Sequence, residues 1–205
     1  MGKTFQLPDG YDTVVAAGQS RPAPEPAAYV CKIVNTDLED GRLKLDLDIA
    51  EGDFADYFKD DFDERKARGL KFVYWSLTAS IPIAFDDPKN GEFFQRLYKR
   101  FDLNVTASNP NFELADNRGV VDIDKLIGKH IGALIIVREK EVNRSVYRNY
   151  RVEETYTVKE VHDGKTREAW IVGVDGNKRK PGEPAPEKPK NTSDSEPVDD
   201  VDIPF

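Results

Sequence analysis

Cysteine is nearly missing from this 205-residue chain: Cys31 stands alone. A lone thiol closes no internal disulfide, which fits a reducing compartment such as the cytoplasm. Histidine is as scarce, and His130 and His162 lie too far apart to give a zinc-ligand spacing. No G-x-x-x-x-G-K-[ST] phosphate loop occurs, which argues against an ATPase. No apolar run approaches the roughly 20 residues that a membrane helix needs. The N-terminus, MGKTFQLPDGYDTVVAAGQ, has one early lysine and a short VVAA patch, which is no secretory signal. A basic surplus is missing too. The formal net charge is -8, which argues against coating a nucleic acid with the whole surface and leaves room for one local basic patch.

What is present is ordinary for one soluble core: 39% hydrophobic and 33% charged residues. Three zones follow from composition. Residues 1–26 end in SRPAPEPAA, where closely spaced prolines prevent a helix, and read as a loose arm on which Phe5 or Tyr11 can dock. Residues 27–175 carry the strong periodicity. From Gly176 to Val198 the text GNKRKPGEPAPEKPKNTSDSEP is rich in Pro, Lys, Glu and Ser, has too little apolar area to offset chain entropy, and reads as a disordered linker. As a flexible coil it would reach roughly 25–30 Å.

Within the middle zone period-2 alternation dominates. RLKLDLDI puts Leu43, Leu45, Leu47 and Ile49 on one face and Arg42, Lys44, Asp46 and Asp48 on the other. AAYVCKIVN precedes it as a strand, with Asp40-Gly41 as the hairpin turn. KFVYWSLTASI reads as one long strand, with Val73, Trp75, Leu77 and Ile81 on one side and Phe72, Tyr74, Ser76 and Thr78 on the other. IGALIIVREKEV and NYRVEETYTVKEV form a pair joined by the basic loop NRSVYR, and a last hairpin turns at Asp163-Gly164. Phe93, Phe94, Leu97, Tyr98 and Phe101 mark one face of a helix that Asn90 would cap. A short helix is expected from Asp122 to Gly128, and a weaker one over DDFDERKA. Five or six strands with one helix between the third and fourth predict a mainly β chain, an OB-fold-like Greek-key barrel with an inserted α-helix. A generic β-sandwich is the structural alternative.

The last residues, DSEPVDDVDIPF, hold Asp194, Glu196, Asp199, Asp200 and Asp202 and no cation. Acids alone fit a solubilising tail. The final Ile203-Pro204-Phe205 is harder to explain that way. Phe205 joins an aromatic ring to a carboxylate, Pro204 restricts the free chain, and the acids would steer the segment to a basic partner surface. DDVDIPF resembles the C-terminal tip of bacterial single-stranded DNA-binding proteins. That resemblance implies recruitment of replication, recombination and repair enzymes through Asp199, Asp200, Asp202, Ile203, Pro204 and Phe205. YVCKIVN, LDLDIAEGDFADYF and LIGKHIGALI resemble a family of small proteins from phages of Gram-positive bacteria, across roughly residues 28–160. This second resemblance implies a phage-replication setting in the host cytoplasm and, for members with such a tip, a role in binding single-stranded DNA, and it assigns no contact residues.

Holding a single strand without sequence preference takes flat aromatic rings beside cations. The densest basic stretch, VREKEVNRSVYRNYR, supplies Arg138, Lys140, Arg144, Arg148 and Arg151 with Tyr147 and Tyr150 between them. The alternative is an outer strand face made soluble by its cations, with Tyr150 in the core. Phe72 and Tyr74 add rings on the more polar side of their strand, unless the inserted helix covers them. Trp75 reads as core, but a parity slip of one residue would exchange it with Tyr74. EGDFADYFKDDFDER has carboxylates enough to raise a metal-site reading, yet the EF-hand spacing is absent and a solvated acidic loop fits better. Asp163-Gly164-Lys165 reads as a turn rather than a nuclease D-x-K. No catalytic set, cofactor site or metal site assembles, so a non-catalytic binding protein is expected. The rival is an enzyme or adaptor that uses such a tip to join the host replication machinery. Oligomeric state stays open, a homo-oligomer included.

Overall fold

The computed structural model describes residues 22–142 and 145–184. The alternating sequence of β1 (Ala27–Glu39) and β2 (Arg42–Ile49) forms an antiparallel hairpin. Its turn is Asp40-Gly41, both at positive φ, as a tight two-residue hairpin turn requires. β2 pairs with β3 (Leu77–Pro82). β4 (His130–Val142) and β5 (Ser145–Tyr156) form the long second hairpin. The first half of β1 also pairs with β4, and a parallel contact between β3 and β5 closes the ring in the order β1-β2-β3-β5-β4-β1. A bulge between Ile33 and Asn35 lets β1 bend between its two partners. With α2 (Gly91–Ser108) inserted between β3 and β4, this is an OB-fold-like Greek-key barrel.

Inward positions follow the alternation: Ile33, Leu43, Leu45, Leu47, Leu77, Ala79, Ile131, Ala133 and Ile135 fill the barrel, and the Cys31 thiol is buried with them. β4 departs from alternation, because Ile131 to Val137 are all buried. Its outer side is covered by α3 (Val158–His162) and by the segment around Ala169 and Trp170. Gly132 permits that cover: a Cβ there would lie 2.6 Å from Val161 Cγ2 and 2.9 Å from the Thr157 carbonyl oxygen.

Several expectations shift. Asp163-Gly164 does not turn a hairpin, and the strand before it stops at Tyr156, because Thr157 and Glu160 form a capping box that starts α3. The helix expected over DDFDERKA is longer, α1 (Tyr57–Ala67). α2 buries Phe101, Asn104 and Val105 and leaves Phe93 and Leu97 exposed, so its apolar face begins later than the sequence pattern indicated. Asn90 is the N-cap residue, but its side chain makes no cap bond; Asp87 Oδ1 accepts the Lys89 and Asn90 amides in the turn that leads into the helix. The 3-10 turn Ile123–Leu126 lies where a short helix was expected, capped by Asp122. Ordered pairing also runs past residue 175. β6 (Ile171–Val172) joins β4, and β7 (Lys178–Arg179) joins β6. Charge anchors that hairpin: Arg179 bonds Glu139 at 2.5 Å, and Lys178 sits 4.0 Å from the Trp170 ring centre. Residues 185–205, Asp199 to Phe205 included, lie outside the described residues, as do Phe5 and Tyr11. No helix among the described residues is long and apolar enough to cross a membrane.

Candidate functional site

β3 and β5 touch over only two residue pairs, Leu77 with Tyr150 and Thr78 with Arg151. Before Leu77 the chain leaves the sheet, so the long strand expected from Lys71 starts six residues late. The cause is α1. Arg65 Nη2 donates to the Tyr74 carbonyl oxygen at 2.9 Å and to Ser76 Oγ at 2.6 Å, and it pairs with Asp61 at 2.8 Å. Trp75 Nε1 donates to the Leu47 carbonyl oxygen at 2.7 Å. These bonds satisfy backbone groups that a ladder would otherwise pair. The barrel wall therefore splits, and the gap between residues 74–76 and 147–150 is a cleft of about 560 Å³ floored by Tyr57 and Phe58.

The cleft gathers five of the expected residues: Tyr74, Trp75, Tyr147, Arg148 and Tyr150. Tyr74 is 73% exposed and Tyr147 55%, and both residues border the cleft. α2 packs on β3, β4 and β5 without covering Tyr74 or Phe72. Trp75 is half-buried, tilted against Phe62 with ring centres 5.3 Å apart. Tyr150 belongs to the floor, edge-on to Phe58 at 5.1 Å. Its hydroxyl is buried without a hydrogen-bond partner among the described residues. Burial, with Tyr57 beside it, pushes that phenol above its usual pKa.

The cations divide differently. Arg148 lies at the cleft, its Nη1 donating to Glu25 Oε1 at 3.2 Å and its Nε 4.0 Å from Glu139. Arg138, Lys140 and Arg151 are exposed, line no part of the cleft, and have no ion-pair partner among the described residues. Register puts Arg138 opposite Asn149, Lys140 opposite Tyr147 and Arg151 opposite Ile136, so these cations share one face of the β4–β5 ribbon with Tyr147. Phe72 is exposed, near Lys71 and outside the cleft. Arg144 lies outside the described residues.

Sequence reasoning missed α1 as a wall of the site. The signal was present: Phe54, Tyr57, Phe58 and Phe62 recur at i, i+3, i+4 and i+8, a helical spacing hidden among acids. Lys59 pairs with Asp63, Arg65 with Asp61 and Arg68 with Glu64, and no group of three or more potential ligands is close enough to hold an ion among the described residues. Asp48, placed by parity on the solvent side, is 2% exposed. It accepts the amides of Ile49, Phe58 and Lys59 and so ties the first turn of α1 to β2. Burial raises the pKa of its carboxyl, against the three backbone bonds that lower it. Compared with models of known protein families and with curated proteins, the chain matches none.

Proposed function

We propose that the protein is a non-catalytic single-stranded DNA-binding protein. One observation carries the reading: at the split seam of an OB-fold-like barrel, exposed tyrosines from two distant segments line one cleft together with Arg148. Unpaired bases would stack on Tyr74 and Tyr147, and the backbone would run past Arg148 toward the cations of the β4–β5 ribbon. Stacking tolerates any base, so such a site takes single strands without reading their sequence. A duplex keeps its bases inside and offers the rings little.

The acidic residues 199–205 are proposed to recruit replication, recombination or repair proteins of a bacterial host, on their resemblance to the tips of bacterial single-stranded DNA-binding proteins. The phage setting, and with it the host cytoplasm, rests likewise on resemblance. The test is fluorescence anisotropy with labelled oligo(dT) and a matched duplex. Tight binding to oligo(dT) that weakens steeply with salt, and weak duplex binding, are expected. No binding of oligo(dT) at low salt refutes the proposal. Phe205→Ala should abolish capture of host replication proteins and leave DNA affinity equal or higher, whereas a fall in DNA affinity contradicts the division of roles.

A further inference from the structure

We infer that Glu25 stands in for a phosphate: its carboxylate occupies the Arg148 guanidinium in the free protein, and an incoming strand must displace it. The inference rests on the cleft being the single-strand site. A carboxylate and a phosphate each offer a guanidinium a pair of anionic oxygens, so the two compete for the same donors. Glu25 Oε1 lies 3.2 Å from Arg148 Nη1, and Ala23 of the same segment lines the cleft.

The backbone around Glu25 is fixed. Pro24 and Pro26 on either side are buried, and the Tyr29 hydroxyl donates to the Glu25 carbonyl oxygen at 2.7 Å. The side chain is not fixed in the same way, being 56% exposed, so a rotamer change releases Arg148 without moving the segment. The other carboxylate near Arg148 behaves differently. Glu139 is 10% exposed and bonded to Arg179, so it stays in place when a strand arrives. Strand binding at Arg148 therefore exchanges one anion for another and leaves the displaced Glu25 charge close to a phosphate. Glu25 holds the affinity of the cleft below what its rings and cations would allow.

The test compares the full chain with Glu25→Gln, Arg148→Gln, the double variant and Glu113→Gln, an exposed carboxylate that does not line the cleft. The readout is anisotropy with labelled oligo(dT) at low salt, with thermal unfolding as the check on the fold. Glu25→Gln is expected to tighten binding about two- to fivefold, the range of a partly exposed ion pair. Glu113→Gln should change it less, and in the Arg148→Gln background the Glu25 effect should vanish. Equal affinity of wild type and Glu25→Gln overturns the inference and leaves the single-strand reading standing. An equal gain from Glu113→Gln, or an undiminished gain without Arg148, also overturns it, since bulk charge or another site would then be acting. If neither wild type nor Glu25→Gln binds oligo(dT), the single-strand reading itself fails and the inference falls with it.

Discussion

The barrel has two gaps along one seam, and they are finished differently. Beyond each end of the short β3–β5 contact the strands separate. On one side lies the cleft of Tyr74, Tyr147 and Arg148; on the other lies a groove of about 410 Å³ between Ala79–Pro82 of β3, Val152–Thr155 of β5 and helix α2. The second gap is walled by Phe93, Leu97 and Phe101 of α2, and its two arginines are neutralised at home, Arg100 and Arg167 both pairing with Glu154. In the first gap Tyr74 and Tyr147 are exposed, Arg65 is paired with Asp61, and Arg148 meets the half-exposed carboxylate of Glu25. The same defect in strand pairing thus yields a helix-backed joint on one side and an open aromatic slot on the other. What separates them is side-chain chemistry, not backbone geometry.

The largest expected effect breaks the open side. Changing Tyr74 and Tyr147 together to alanine should cost about 2–4 kcal/mol of oligo(dT) affinity, at the usual worth of base–aromatic stacking. The matched pair Phe93→Ala and Leu97→Ala should leave that affinity within about twofold, because exposed residues away from the contact contribute little. Anisotropy titrations check both, and the opposite ranking would move the strand to the second groove. Next in size is Asp48→Ala. It leaves the buried amides of Ile49 and Phe58 unsatisfied and should cost about 2–3 kcal/mol of stability in urea unfolding. Because α1 floors the cleft, that variant should also weaken oligo(dT) binding; full affinity would show that α1 takes no part.

The smallest effect belongs to the helix-backed side. Burial alone would raise the Glu154 carboxyl, but the Tyr156 hydroxyl and Arg100, with Arg167, outweigh it and hold its pKa below the ordinary value. A depressed folded pKa adds stability above the unfolded value, and that stability is lost as pH falls through the folded one. Glu154→Gln should therefore cost about 1 kcal/mol at neutral pH and progressively less as acid protonates the wild-type carboxyl. A pH-independent difference in unfolding free energy would mean that the charge of Glu154 contributes nothing.

Most of the barrel was legible because its evidence is local. Alternation in RLKLDLDI and the Asp40-Gly41 turn specify the first hairpin, and the position of α2 between β3 and β4 points to the topology. The departures arise where a distant side chain decides. Residues 71–76 have strand composition, yet Arg65 on α1 takes the Tyr74 carbonyl and the chain leaves the sheet. Asp48 has the parity of a solvent position, yet it caps a helix whose docking no short window reveals. The capping box at Thr157 and Glu160 was readable and was masked by the β-rich text before it. Of the cleft, Tyr74, Tyr147 and Arg148 were visible as residue types. That they share one opening depends on a strand contact only two residues long.

Two tryptophans offer the most direct test of the open slot, because Trp75 lines it while Trp170 packs near Lys178 and away from it. Titration of Trp170→Phe with oligo(dT) reports on Trp75 alone, and titration of Trp75→Phe reports on Trp170 alone. Trp75 emission should be quenched in a saturable, salt-sensitive way, and Trp170 emission should stay unchanged. A saturable change at Trp170 with none at Trp75, under conditions where oligo(dT) binds, would contradict this expectation.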